Sequence, residues 1–276
     1  MQFTKWQGLG NDFILIDGFK TTIHDYTQAA IAMCDRHFGI GADGLVTIFP
    51  SKIADFEMQI INSDGSEAAM CGNATRCVAR YLYENGFTDK TVISLETKAG
   101  LIRPELIFDG SRIISVRVDM GEPRLEQCHI PMTGDSEKHC INQPLTVQNQ
   151  QYFITAVSMG NPHCVIFVDD VQAIDLSDIG PLLENHSCFP DKANIEFAQI
   201  IDENTIKMRV WERGAGITLA CGTGSCATLV ASVLNHKTKR QATLQLAGGE
   251  LFIEWASNNH LYMTGPAKEV FRGTWL

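Results

Sequence analysis

The sequence repeats itself once, and this repetition constrains the fold more than any other feature. Residues 9–11 read Leu-Gly-Asn and residues 159–161 read Met-Gly-Asn. Residues 70–75 read Met-Cys-Gly-Asn-Ala-Thr, and residues 220–225 read Ala-Cys-Gly-Thr-Gly-Ser. Both matches have the same offset of 150 residues. A period this long lies far outside the range of solenoid repeats, so it predicts two similar domains, with a linker near residues 120–123.

The secondary-structure pattern agrees with two copies of one unit. Four helices are predicted, at residues 27–37, 73–84, 176–186 and 223–236. The last of these is apolar almost all round, which is typical of a helix enclosed by other structure. The polar segment 133–149 is expected to be a loop or an insertion at a sheet edge. Strands are predicted at residues 13–17, 56–61, 91–96, 101–108, 112–118, 152–156, 164–169, 195–201, 205–211, 243–246 and 250–254. We therefore predict an α+β fold of two pseudo-symmetric domains, each with mostly strands around one central helix.

Composition excludes several classes of protein. The chain has 276 residues and a formal net charge of −10, and no stripe of lysine and arginine offsets that charge. Nucleic acid is therefore not an expected partner. There is no apolar run of about 18 residues and no signal-peptide pattern at the start, so we expect a cytoplasmic protein without a membrane partner.

Nine cysteines are scattered along the chain, without the spacing of a zinc site. No metal is expected, and in a reducing cytosol most of these residues should be thiols that pack as small apolar side chains. Cys77 and Cys226, inside two predicted helices, are expected to pack in this way.

Cys71 and Cys221 are different, because each precedes a glycine at the start of a predicted helix. Amide groups of a first helical turn form an anion site, and a thiol there can have its pKa lowered from about 8.5 to about 3.5–7.5. Two such thiols predict a base and an acid on opposite faces of one carbon, and thus inversion of configuration. Packing alone, or anion binding without catalysis, remains an alternative for either motif.

Long segments of the sequence resemble the diaminopimelate epimerase family. Residues 62–73 (Asn-Ser-Asp-Gly-Ser-Glu-Ala-Ala-Met-Cys-Gly-Asn) and 212–224 (Glu-Arg-Gly-Ala-Gly-Ile-Thr-Leu-Ala-Cys-Gly-Thr-Gly) resemble its two active-site signatures. The resemblance also covers residues 8–13, 39–44, 159–164, 194–197 and 264–267. It implies conversion of LL-diaminopimelate to the meso form for lysine and cell-wall precursor synthesis, without pyridoxal phosphate, metal or another cofactor.

The resemblance also implies domains, residue roles and a partner. It implies an N-terminal half of residues 1–119 completed by 264–276, a C-terminal half of 120–263, an active site in the cleft between them, and a homodimer. Cys71 and Cys221 are implied as the acid/base pair, supported by His163 and Glu212. The implied substrate-binding residues are Asn11, Gly44, Asn62, Gly72, Asn73, Asn161, Asn194, Glu212, Arg213, Gly222 and Thr223.

Some positions depart from the family pattern. Gly44 offers only its backbone, Ile217 stands where a glutamate is common, and Ala74 replaces a glycine. Phe271 stands where a tyrosine often helps to pair subunits. Two rival functions remain: a two-cysteine racemase of proline or hydroxyproline, and a cysteine hydrolase with one essential thiol and an acyl-enzyme.

Overall fold

The computed structural model describes residues 1–276 and divides the chain into two compact units. Unit 1 contains Met1–Asp119 and Thr264–Leu276, and unit 2 contains Met120–Met263. No helix of either unit has the length and hydropathy needed to span a bilayer.

Unit 1 is a sheet with one long helix packed on it. Its strand order is β19-β1-β2-β3-β4-β6-β7, with β5 paired to β4, and it also contains the paired strands β8 and β9. All pairs are antiparallel except β2–β3 and β4–β6. In chain order the elements are β1 (Gln2–Gly8), β2 (Asn11–Asp17), α1 (Tyr26–Cys34), β3 (Gly44–Phe49), β4 (Phe56–Asn62), β5 (Glu67–Ala68), α2 (Gly72–Glu84), β6 (Leu95–Thr97), β7 (Gly100–Ile102), β8 (Glu105–Asp109), β9 (Arg112–Asp119) and finally β19 (Lys268–Thr274).

Unit 2 repeats this arrangement. Its strand order is β10-β11-β12-β13-β14-β16-β17-β18, with β15 paired to β14, and its parallel pairs are β12–β13 and β14–β16. The elements are β10 (Gln143–Val147), β11 (Gln150–Ser158), β12 (Pro162–Phe167), α3 (Leu176–Glu184), β13 (Asn194–Asp202), β14 (Thr205–Glu212), β15 (Gly216–Ile217), α4 (Gly222–Leu234), β16 (Gln241–Leu246), β17 (Gly249–Trp255) and β18 (Leu261–Gly265).

The 150-residue offset extends to the register of the strands. Phe13 lies opposite Gly44 in the parallel pair β2–β3, and His163 lies opposite Asn194 in β12–β13. The helices α2 and α4 both have 13 residues and begin 150 residues apart. The predicted α+β fold of two similar units is confirmed, since each central helix packs against several strands of its own unit.

Apolar side chains explain why α2 and α4 are central. Most of α4 is buried, including Leu229 and Val230, and α2 buries Val78 and Leu82 against strands of unit 1. Each fully buried leucine or valine of this kind stabilises the folded unit by about 1.5–3 kcal/mol. The expectation of an enclosed helix at residues 223–236 is therefore confirmed.

Three predicted elements differ from the structure. The strand predicted at 91–96 is limited to β6 (Leu95–Thr97), with an isolated bridge at Val92 before it. The single strand predicted at 101–108 is two strands, β7 and β8, because Pro104 between them has no amide hydrogen for a sheet ladder. The helix predicted at 27–37 ends at Cys34, because the carboxylate of Asp35 accepts hydrogen bonds from the amides of His37 and Phe38 and closes a turn. In the polar segment 133–149, residues Gln143–Val147 form the edge strand β10.

Candidate functional site

In unit 1, the candidate residues surround the start of α2. Cys71 is the N-cap residue of this helix, with extended backbone angles (φ −142°, ψ 114°), and its side chain is half-buried. Its Sγ donates to Oδ1 of Asn11 over 3.7 Å, and Nδ2 of Asn73 donates to the same oxygen over 3.0 Å. The other polar atom of Asn73, Oδ1, is buried without a hydrogen-bond partner. This group, with Gly72, forms what we call the Cys71 half-site.

A network of charges fixes the amide of Asn11. Its Nδ2 donates to Oδ2 of Asp43 over 2.6 Å, which leaves Oδ1 directed at Cys71. The other oxygen of Asp43 accepts from Arg36 over 2.8 Å, and Arg36 also pairs with Asp12 at 2.7 Å. The two cations beside Asp12, Arg36 and Lys5, hold the pKa of that carboxyl below its usual range against the opposing effect of burial.

The other predicted residues of unit 1 are neighbours on paired strands. Gly44 on β3 lies directly opposite Asn62 at the end of β4. A Cβ on Gly44 would come within 3.0 Å of the Ile61 carbonyl oxygen, so the position is tight for any side chain. Asn62 donates from Nδ2 to Ser66 over 3.0 Å.

A buried cation also belongs to this half. Arg76 lies on the second turn of α2 with no exposed surface, and its Nε donates to the Pro266 carbonyl oxygen over 3.1 Å. Burial lowers the pKa of the Arg76 guanidinium, while Cys77 and, to a smaller extent, Cys71 oppose that shift. The buried guanidinium therefore lies within electrostatic range of both cysteines.

In unit 2, Cys221 is the N-cap residue of α4 (φ −120°, ψ 112°). Its Sγ accepts a hydrogen bond from the amide of Gly224 over 3.3 Å and lies 3.6 Å from Oγ1 of Thr223. The thiol is only 5% exposed, so it is more enclosed than Cys71. With Gly222 and the residues described next, it forms the Cys221 half-site.

A chain of hydrogen bonds runs beneath this cysteine. Nδ2 of Asn161 donates to Thr223 over 3.3 Å, and Oδ1 of Asn161 lies 3.0 Å from Nε2 of His163. The other ring nitrogen of His163, Nδ1, lies 2.7 Å from Oε1 of Glu196. His163 and Glu196 both have no exposed surface.

The second signature supplies the remaining groups. Glu212 ends β14, accepts a hydrogen bond from Thr218, and is within hydrogen-bonding reach of the Cys221 thiol. Burial raises the pKa of Glu212. Next along the chain, the amide of Arg213 donates to Oδ1 of Asn194 over 3.0 Å, and Asn194 donates to the Pro162 carbonyl oxygen over 2.9 Å.

The expected lowering of the thiol pKa is wrong for Cys221. Burial raises its pKa well above the usual range, and the negative charges of Glu212 and Glu196 add to that effect. The hydrogen bond from the Gly224 amide acts in the opposite direction but is the smaller influence. Enclosure and neighbouring carboxylates therefore outweigh the helix N-terminus.

The structure thus groups the predicted residues into two sets by unit. Asn11, Cys71 and Asn73 share hydrogen bonds in unit 1, and Asn161, His163, Cys221 and Thr223 share them in unit 2. Sequence reasoning missed Glu196, Asp43 and Arg76. Glu196 could have been noticed in the sequence, because it lies between Ile195 and Phe197 and a charged side chain in an apolar stretch of strand needs a buried partner. No group of three or more histidine, cysteine or carboxylate side chains is arranged to hold a metal ion.

Solved structures define the class to which this fold belongs. A phenazine biosynthesis protein of the PhzF family from Bacillus anthracis aligns with a TM-score of 0.71 at 16% identity, covering 100% of this chain and 99% of the other. A hydroxyproline epimerase from Agrobacterium vitis aligns with a TM-score of 0.69 at 15% identity, covering 99% and 90%. At such identities the likeness shows the fold alone, which is the two-unit fold shared by these proteins.

Sequence comparison identifies the family within that class. The family model described as diaminopimelate epimerase matches residues 3–126 and 155–270. The diaminopimelate epimerase of Pelotomaculum thermopropionicum is 56% identical over 99% of this chain and 98% of its own length. That of Methanococcus maripaludis (strain C5) is 52% identical over 99% of both chains. The chain belongs to the diaminopimelate epimerase family and is an isomerase.

Proposed function

We propose that this chain interconverts LL- and meso-diaminopimelate by proton transfer between two thiols, Cys71 and Cys221. The observation that carries the proposal is the pair of matched helices, each capped by a cysteine at the same place in its own unit. A hydrolase would need one thiol with a histidine partner. Two thiols in duplicated half-sites suit a reaction that treats the two faces of one carbon in the same way.

The two proton transfers use only the two thiols. A cysteine thiolate takes the α-proton, so the C–H bond breaks, an S–H bond forms, and the electron pair is delocalised into the neighbouring carboxylate. The second cysteine then gives up its S–H proton to the opposite face of the carbon. The amides of the first helical turns, at Gly72-Asn73 and Gly222-Thr223, would stabilise the negative charge on the carboxylate.

The surroundings of the two cysteines support different starting roles. The enclosed Cys221, beside Glu212 and Glu196, favours the thiol form and suits the proton donor. Cys71 is less enclosed than Cys221 and lies within electrostatic range of the buried Arg76 guanidinium, and we assign it the role of the base. The roles exchange when the reaction runs in reverse, because each turnover moves one proton from Cys221 to the substrate and one from the substrate to Cys71.

The remaining predicted residues are assigned to substrate binding. Diaminopimelate carries a second amino-acid centre that must be held without reacting. Amides that donate and accept, a guanidinium fork and a carboxylate can bind its ammonium and carboxylate groups. We assign this role to Asn11, Asn62, Asn161, Asn194, Glu212 and Arg213, with a backbone contact from Gly44, and assign pKa support of the thiols to His163 and Glu212.

The proposal extends to context. A substrate used for lysine and for cell-wall precursors would be met in the cytoplasm. We also propose a homodimer through β19, where Phe271 is 44% exposed and packs edge-on against Phe3 at 5.9 Å between ring centroids. Sedimentation of wild type and Phe271→Asp tests this, with a monomeric wild type counting against it.

The test of function is a substrate and variant comparison. Wild type should epimerise LL-diaminopimelate and leave proline and hydroxyproline unchanged, and both Cys71→Ala and Cys221→Ala should lose at least about 10³-fold in kcat. The matched control is Cys128→Ala, since Cys128 is an exposed cysteine outside both half-sites. Turnover of proline instead of diaminopimelate would favour the racemase, and an acyl-enzyme trapped on one cysteine would favour the hydrolase. Full activity in either single variant would contradict the two-thiol mechanism.

A further inference from the structure

Glu196 is a buried carboxylate with an incomplete set of partners. It lies on β13 between Ile195 and Phe197, has no exposed surface, and contacts His163 Nδ1 through Oε1 at 2.7 Å. Its second oxygen, Oε2, is buried and has no hydrogen-bond partner. A buried charge that is only half satisfied costs free energy. Its presence in an apolar strand therefore calls for a role other than stability.

The hydrogen bonds of His163 define what Glu196 does to the ring. Nε2 lies 3.0 Å from Oδ1 of Asn161. Nδ2 of the same amide donates a hydrogen bond to Oγ1 of Thr223. Nδ1 faces Oε1 of Glu196. Both ring nitrogens thus meet acceptor oxygens, and an imidazole satisfies two acceptors only when both nitrogens carry a proton. The geometry is that of an imidazolium paired with a carboxylate.

The duplication provides an internal comparison. At the positions 150 residues earlier, unit 1 has Phe13 for His163, Val46 for Glu196 and Ala74 for Gly224. All three unit 1 residues are buried. The glycine in α4 is what admits the carboxylate, since a Cβ on Gly224 would lie 2.6 Å from Oε1 of Glu196. The hydrogen-bonded pair of His163 and Glu196 and the space for it therefore occur together in unit 2 and are both absent from the corresponding place in unit 1.

Besides His163, three ionisable side chains lie within electrostatic range of Glu196. They are Cys164 on β12, Glu212 at the end of β14, and Cys221 at the start of α4, and in each case the Glu196 charge raises the pKa of the group. His163 acts on Glu212 in the opposite direction and lowers its pKa. The pair therefore contributes both signs of charge to the surroundings of the Cys221 thiol.

We propose that Glu196 is a positioning residue that holds His163 as a cation, with both ring N–H groups engaged, in the Cys221 half-site. Glu196 does not touch the substrate; it acts through the ring. The role in turnover rests on the proposed function, whereas the state of the ring does not. Without the carboxylate, a buried imidazolium loses its charge partner, so His163 becomes neutral and one of its ring nitrogens loses its proton.

The first experiment reads the ring directly and needs no substrate. In ¹⁵N NMR of wild type near neutral pH, with His163 assigned by comparison with His163→Gln, both ring nitrogens should show the shifts of N–H groups. In Glu196→Gln, one of them should move to the shift of an unprotonated nitrogen. A neutral ring in wild type would overturn the proposal, whatever the enzyme is found to catalyse.

The second experiment asks whether Glu196 acts through His163. Glu196→Gln should lower kcat/KM for diaminopimelate at least about tenfold and move the acidic limb of its pH profile, while Glu196→Asp, which keeps the charge, should lose less. In a His163→Gln background the same change should alter kcat/KM by less than about twofold. An equal loss in both backgrounds, or wild-type kinetics in Glu196→Gln, would overturn the proposal.

A matched control removes an equivalent charge elsewhere in unit 2. Glu203 lies exposed in the turn between β13 and β14 and pairs with Lys239 at 2.7 Å. Glu203→Gln should leave kcat/KM, the pH profile and the His163 spectrum unchanged. Inactive wild type with a cationic His163 would refute the proposed function and leave the inference about the ring intact.

Discussion

The close approach of Glu196 to the first turn of α4 leads to a prediction about Gly224→Ala. Gly224 lies in the helix, where alanine is favoured over glycine by about 1 kcal/mol. The new Cβ would, however, lie 2.6 Å from Oε1 of Glu196 and 3.1 Å from Sγ of Cys221. Overpacking of this kind costs about 1–3 kcal/mol. We therefore expect Gly224→Ala to lower the free energy of unfolding by up to about 2 kcal/mol.

The sign of this effect should reverse when Glu196 is replaced by valine. The pair at these two positions would then match Val46 and Ala74 of unit 1, which are both fully buried. In the Glu196→Val background the helix propensity remains and the clash with the carboxylate is gone. Gly224→Ala should then raise the free energy of unfolding, by up to about 1 kcal/mol.

Urea unfolding of wild type, both single variants and the double variant measures this coupling. The comparison is between the effect of Gly224→Ala with Glu196 present and its effect in the Glu196→Val background. Glu196→Val also leaves His163 without its partner. The resulting loss of stability is the same in the Glu196→Val variant and in the double variant, so it cancels from the comparison. The same loss of stability in both backgrounds would refute the reasoning, because it would mean that Glu196 does not occupy the space beside Gly224.

Two further predictions concern Asp43 and the buried thiols. Asp43→Asn removes the anionic acceptor that orients Asn11, so KM for diaminopimelate should rise severalfold in steady-state kinetics. The free energy of unfolding should change by less than about 1 kcal/mol, because Asp43 is 41% exposed. An unchanged KM would contradict this role of Asp43. Burial raises the pKa of Cys226 from 9.0 to about 12, so its contribution to stability is complete below about pH 9 and is lost as the pH rises towards 12, by about 1.4 kcal/mol per pH unit. Between about pH 9.5 and 10.5, the free energy of unfolding measured in urea should therefore fall by about 1.4 kcal/mol less in Cys226→Ala than in wild type. In Cys128→Ala it should fall by as much as in wild type. Equal falls in Cys226→Ala and wild type would refute the raised pKa of Cys226.

The sequence was sufficient for the architecture because the duplication is visible in short motifs. Cys-Gly followed by small residues predicted the helices at 73–84 and 223–236, and the structure has Gly72–Glu84 and Gly222–Leu234. Local patterns failed where one residue or one turn decided the outcome. Pro104 divides a continuous apolar run into two strands, and the carboxylate of Asp35 ends α1 early.

The electrostatics of the half-sites could not be predicted from the motifs. A helix start indicates a lowered thiol pKa, but burial and the carboxylates of Glu212 and Glu196 reverse that expectation at Cys221, and the packing that encloses the thiol with these carboxylates is not visible in the motif. Glu196 was accessible in principle, since comparison of the two halves aligns it with Val46. Only the three-dimensional structure shows that Glu196 contacts His163 and that its second oxygen has no hydrogen-bond partner.

The two-thiol mechanism is tested most directly by the distribution of deuterium at early reaction times. LL-diaminopimelate is incubated with the enzyme in heavy water, and the recovered substrate and the meso product are analysed separately by mass spectrometry. If one cysteine removes the proton and the other donates a solvent-derived one, the product carries one deuterium at the inverted carbon and the recovered substrate carries almost none. Equal deuterium content in substrate and product at low conversion would show that a single group serves both faces, and would contradict the mechanism.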